Sequence, residues 1–131
     1  MAQLAIELIL LRQWASYLVL PVFIADADGK LLFFNEPAEE LLGRRFDELG
    51  DVPLQSLAEI FVTTDESGAP ISRTKHPLGA ALLRRQPAHK RLRIRGADGV
   101  TRLIEATAFP IQGQEGRFLG AVAMFWEARS R

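Results

Sequence analysis

Few side chains in this sequence have the types or spacing to do chemistry: His76 and His89 are its two imidazoles, and it has no cysteine. An imidazole nitrogen could ligate haem iron or a metal, or act as a base. His76 follows the polar run Arg73-Thr74-Lys75 and directly precedes Pro77, which predicts an exposed loop, and His89 opens a charged stretch. Two histidines without ligand spacing do not make a zinc site. Ser16, Asp65 and His76 have the residue types of a hydrolase triad, but no G-x-S-x-G elbow accompanies them. Catalysis is not expected. The missing thiols exclude disulfides, thiolate nucleophiles, iron–sulfur clusters and cysteinyl flavin adducts. The expectation is no metal and no cofactor, with haem on His76 as the alternative.

The remaining candidate is a basic cluster: Arg84, Arg85, Lys90, Arg91, Arg93 and Arg95. Arg84 and Arg85 suit the negative end of a helix, and Arg91, Arg93 and Arg95 alternate with Leu92 and Ile94 as the solvated side of a strand. No stacking aromatics are interleaved, so nucleic acid is not an expected partner; an acidic protein surface is the functional alternative. Sixteen basic and sixteen acidic residues cancel over 131 residues, which leaves no whole-molecule field toward nucleic acid or an anionic membrane.

The elements that must position these groups are legible between Pro21 and Gly43. Val22, Phe23 and Ile24 suit a strand, Asp28-Gly29 a hairpin turn, and Leu31 to Phe34 the returning strand. Asn35 is placed as an N-cap, Pro37 sits in the first turn of the helix, and Gly43 stops it. Farther on, the sequence predicts a short helix over 54–61, a turn-rich loop over Thr63 to Pro70, and a helix from Pro77 that ends by Gln86 because Pro87 cannot continue it. The period then becomes two: His89 to Arg95, a turn at Asp98-Gly99, Thr101 to Phe109, a turn at Gly113 to Gly116, and Phe118 to Trp126.

The N-terminal run Met1 to Leu20 is apolar, but Gln3, Glu7, Arg12 and Gln13 interrupt what would need about 20 mostly apolar residues to span a membrane. It reads as an amphipathic helix. Leu4, Leu8, Leu11, Ala15 and Leu18 recur at three and four, and Ile6, Leu10, Trp14 and Tyr17 widen the stripe.

The hairpin DADGKLLFFN, the following EPAEELLG, the later GADGVTRLIEATAFPI and the closing GRFLGAVAMFWE resemble a PAS domain in order and spacing, over Val19 to Glu127. The resemblance implies an α+β PAS fold: a five-stranded antiparallel sheet with helices on one face, here with an amphipathic N-terminal helix over 1–18 ahead of a domain over 19–131. It also implies a regulatory sensor in signal transduction that binds a small apolar ligand or a partner protein, or a ligand-free dimerisation module; a cytoplasmic address is the default expectation.

Period-two counting groups the strand residues into faces, and the resemblance implies which of them lies under the helices. Facing the helices, as pocket candidates, are Phe23, Ala25, Leu32, Phe34, Leu92, Ile94, Ile104, Ala106, Ala108, Val122 and Met124, with Leu41, Leu42, Ile60, Leu78 and Leu82 as the helical wall. An interior of that kind holds no reactive group. Leu119, Ala121, Ala123 and Phe125 fall on the opposite face, which together with Leu4, Leu8, Leu11, Trp14, Ala15 and Leu18 of the N-terminal helix makes the candidate dimer interface. The expected partners are a second copy and a signalling effector, with no nucleic acid and no membrane.

Overall fold

The computed structural model describes residues 6–43, 45, 62–72, 75–96 and 98–128. In chain order these form α1 (Ile6–Ala15), β1 (Val22–Asp26), β2 (Leu31–Phe34), α2 (Glu36–Leu42), β3 (Val62–Thr64), α3 (Pro77–Arg84), β4 (Ala88–Arg95), β5 (Thr101–Gln112), a short 3-10 turn (Gln114–Gly116) and β6 (Phe118–Glu127). The short helix expected at 54–61, with Ile60, lies outside the described residues, as do Leu4 and the side chain of Leu42.

Local chemistry sets the turns. Asp26 Oδ1 accepts the N–H groups of Asp28 at 3.0 Å and Lys30 at 2.9 Å, and Gly29 takes φ 82° to close the β1–β2 hairpin. Asn35 caps α2 through Ala38 N–H, and Gly43 ends that helix in the left-handed region, its N–H on the Glu39 carbonyl.

Six strands, all antiparallel, make one sheet in the order β2-β1-β6-β5-β4-β3. The sixth corrects the expected five: β3 pairs Val62, Thr63 and Thr64 with Arg95, Ile94 and Arg93, where the sequence reads as loop. β-branched residues suit that edge, and Asp65 then turns the chain, its Oδ1 accepting from Ser67 N–H, Ala69 N–H and Ser67 Oγ–H.

Two apolar clusters lie on opposite faces of the sheet. On the inner face, Phe23, Ala25, Leu31, Phe34, Leu92, Ile94, Ile104, Ala106, Ala108, Ala121, Ala123 and Phe125 meet Ala38, Leu41, Leu78, Ala81 and Leu82 of α2 and α3. On the outer face, Leu8, Leu11 and Ala15 of α1, with Leu18, cover Val22, Ile24, Leu32, Phe109, Leu119, Val122 and Met124.

The faces of β6 therefore reverse the expectation. Ala121, Ala123 and Phe125 point inward and Val122 and Met124 outward, because β6 carries an extra residue: Ile111 pairs with Gly120 but Gln112 pairs with Phe118. That bulge flips the alternation after Leu119, which stays outside. Gly120 makes it possible with φ 149°, since a Cβ there would fall on the Ala25 carbonyl oxygen. A similar register shift opposite Ile24 and Ala25 turns Leu32 outward and leaves Leu31 and Phe34 inside.

Candidate functional site

The inner face is built from aromatics and alanines. Phe34, Phe23 and Phe125 stack in a row with ring centroids 5.2 Å and 5.4 Å apart. Beside them Ala25, Ala106, Ala108, Ala121 and Ala123 form a low surface, and Ala38 and Ala81 face it from the helices. Small side chains on both layers let the helices approach closely.

Lys90, opposite Ala106, and Arg102 are charged residues that fall on this face. Arg102 lies opposite Ile94 and two residues from Ile104, which sets it on the inner side, at the edge; it donates to the Leu41 carbonyl and to Asp98, each at 3.3 Å. The guanidinium thus holds the C-terminal end of α2, where carbonyls lack helical partners. Asp98 is held below the usual carboxylate range chiefly by the Val100 N–H, with Arg102 adding to it. An interior read as wholly apolar misses this group, which two-residue counting back from Ile104 places there.

The outer site centres on α1. Leu8 and Ala15 are 4% and 0% exposed against their own sheet, with Leu11 and Leu18 packed beside them, so Leu8 and Ala15 are not available to a second copy. Leu119 is buried beneath α1, and Ala121, Ala123 and Phe125 lie on the other face; none of these four presents a dimer surface. What α1 does present is a second apolar stripe. Ile6, Ile9, Leu10 and Trp14 are 67%, 49%, 56% and 43% exposed, and Tyr17 and Val19 just beyond are more open still. Arg12 lies over the Phe33 ring, 5.0 Å from its centroid.

A six-stranded antiparallel sheet with helices on one face, a strand–turn–strand–cap–helix opening and an N-terminal helix across the back defines one fold family. A family model described as the PAS fold matches residues 14–126. The chain belongs to the PAS family. Solved PAS domains share the fold at low identity. That of Bordetella pertussis BvgS is 17% identical, covering 95% of this chain and 88% of that one, with a TM-score of 0.61. A PAS domain from Colwellia psychrerythraea gives 19%, 95%, 99% and 0.65, and that of nitrogen regulation protein NR(II) from Vibrio parahaemolyticus 17%, 91%, 98% and 0.64. No curated protein matches significantly. As a PAS domain the chain is a signalling or sensor module and not an enzyme.

Within this PAS domain His76 is not the exposed loop residue its neighbours imply. It is partly buried at the N-terminal end of α3, its carbonyl accepting Ala80 N–H at 2.7 Å, its side chain making no cap. Burial pushes its pKa down from 6.5 to about 4. Between those values the unfolded chain binds the proton more readily than the folded one, so stability is full above pH 6.5 and falls as pH drops toward 4. A loss of about 1–2 kcal/mol is expected, less than the whole shift because the residue keeps some accessible surface. Urea midpoints across this range check it, and His76→Gln should flatten the profile there. Asp65, held low chiefly by the Ser67 hydroxyl and next by Ala69 N–H, acts only below 3.8.

The basic stretch is partly matched inside the PAS sheet. Arg91 pairs with Glu66 at 3.8 Å, Arg93 Nε donates to the Glu66 carbonyl at 3.0 Å, and His89 lies 3.5 Å from Glu105. Arg85 stacks on Phe118 with its guanidinium 4.4 Å from the centroid. An open groove of about 530 Å³ between α1 and the β5–β6 turn is lined by Ile6, Glu7, Gln114, Glu115 and Arg117. Among the described residues no group of three or more His, Asp or Glu is placed to hold a metal, and no helix is long and apolar enough to cross a membrane.

Proposed function

We propose that this PAS domain is a homodimeric regulatory module in which α1 carries the state of the inner face to a signalling effector. The observation that carries the reading is the two-sided helix: one stripe of α1 seals its own sheet, and a second, with Ile6, Ile9, Leu10 and Trp14, is left in water. Contiguous exposed apolar surface of this kind marks association. A second copy presents the same stripe, and a two-fold pairing of helix against helix buries both at once.

The signal under this reading is a small apolar molecule or a partner that prefers one seating of the helices over the inner face, because only differential affinity shifts such an equilibrium. The aromatic row and alanine floor favour a ligand held by shape, with Arg102 at the rim as a charged neighbour. A ligand-free dimerisation module is the second reading, favoured by the close approach of Ala38 and Ala81 to the alanine floor.

Sedimentation tests the dimer. The wild-type chain should sediment as a dimer and Leu10→Glu as a folded monomer, since Leu10 is 56% exposed in the single chain and is not needed for its own core. A monomeric wild type, or a variant that dimerises equally well, overturns the interface. Native mass spectrometry of the dimer separates the two readings: a co-purifying apolar ligand supports the sensor, and bare dimer supports the assembly module.

A further inference from the structure

Asn35 is the one buried polar side chain among the described residues, at 1% exposure, and every hydrogen-bonding position of its amide is used on backbone. Its Oδ1 accepts from Val22 N–H at 3.0 Å and Ala38 N–H at 3.2 Å. Its Nδ2 donates to the carbonyls of Ala15 at 2.9 Å and Leu20 at 2.8 Å. Capping α2 needs only the Ala38 bond, and serine, threonine or aspartate would serve there as well. The other three bonds go elsewhere: Ala15 closes α1, Leu20 lies in the connector, and Val22 opens β1.

Asparagine is chosen by that set of partners, since its short amide supplies two donors and two acceptors at once. The two apolar clusters are separated by the sheet, yet this one side chain bonds to α2 over the inner face and to the exit of α1 on the outer face. Its main chain strengthens the link, with Asn35 N–H on the Val22 carbonyl and Glu39 N–H on the Asn35 carbonyl.

We propose that Asn35 is a positioning residue, the joint that couples the seating of α1 on the outer face to the first turn of α2 over the inner face. The inference rests on the reading that α1 is the relay. A buried amide that loses its acceptors is costly, so moving the end of α1 must disturb the cap of α2. Linkage makes the coupling run equally in the other direction.

Hydrogen exchange on the full chain tests it. Asn35→Asp keeps the oxygen that accepts from Val22 and Ala38 but removes both donors and sets a carboxylate against the Ala15 and Leu20 carbonyls. It should speed exchange of the Tyr17 and Leu18 amides about tenfold and leave the β4–β5 ladder unchanged. Leu8→Glu, which unseats α1, should speed the Ala38 and Glu39 amides about tenfold in the wild-type background and less than about twofold in the Asn35→Asp background. Equal effects in both backgrounds, or faster exchange spread evenly over the sheet, would overturn the joint. If Asn35→Asp does not fold, Asn35→Ser, a good cap too short to reach Ala15 and Leu20, gives the same readout. Because the coupling lies within one chain, a monomeric or ligand-free protein leaves this result intact, so the failure of the dimer reading and of the joint are seen separately.

Discussion

Gly120→Ala is expected to destabilise the domain by about 3–5 kcal/mol, enough to unfold a marginal domain of this size. The φ of 149° is a region L-residues rarely adopt, and the new methyl would fall on the Ala25 carbonyl oxygen, 3.0 Å from Asp26 Cα. Neither neighbour is a side-chain tip that can swing away; both are backbone of β1, paired with β6 through Ala25↔Ala121 and Asp26↔Gly120. Relief requires parting β1 from β6 inside the sheet. Gly99→Ala is the matched control: φ is 81° there and nothing lies within 4 Å, so only the left-handed penalty of about 1 kcal/mol applies. Urea unfolding of both variants measures the difference. A cost at Gly120 no larger than at Gly99 would mean that the bulge and the close approach are absent.

The second large effect is expected at Leu8, 4% exposed among Val22, Ile24, Leu119 and Val122. Leu8→Glu sets a carboxylate in that cluster. An unpaired buried charge costs more than the seating of one helix provides, so α1 is expected to lift off rather than carry the charge inward. The measured loss should be about 2–4 kcal/mol by urea unfolding at a dilution where the wild type is monomeric, whereas Leu10→Glu on the opposite stripe should there stay within about 0.5 kcal/mol of wild type. Equal losses at the two positions would mean that α1 does not use the Leu8 stripe against its own sheet.

These two effects mark where the sequence can be read and where it cannot. Turn and cap chemistry is local, so Asp28-Gly29, Asn35, Pro37 and Gly43 reveal the β1–β2 hairpin and α2 directly, and the period-two runs reveal β4, β5 and β6. The face of β6 is a backbone matter. In Phe118–Glu127 nearly every side chain is apolar, so the alternation carries no contrast, and counting through Gly120 inverts all that follows. A glycine inside a strand is itself the available sign of a bulge. β2 hides its shift for the same reason, its four residues being Leu, Leu, Phe and Phe.

For α1 the stripe Leu8, Leu11, Ala15 and Leu18 is visible as spacing, but the helix is apolar nearly all round, so spacing alone does not tell which stripe meets the sheet. Asn35 is legible as a cap from its place before Glu36-Pro37. Its bonds to Ala15 and Leu20 join residues 20 and 15 positions away, and no local pattern announces them. Arg102 is hidden by the habit of assigning charge to solvent, and His76 by its polar neighbours.

Absence of native cysteine permits a direct measurement of the central claim, that the bulge at Gly120 divides β6 between an inner face under α2 and α3 and an outer face under α1. Val122→Cys and Ala123→Cys are introduced singly, and thiol labelling rates are compared with and without Leu8→Glu. Lifting α1 is expected to open the position at Val122 to labelling and to leave that at Ala123 protected. Labelling gained at Ala123 and not at Val122 would contradict it.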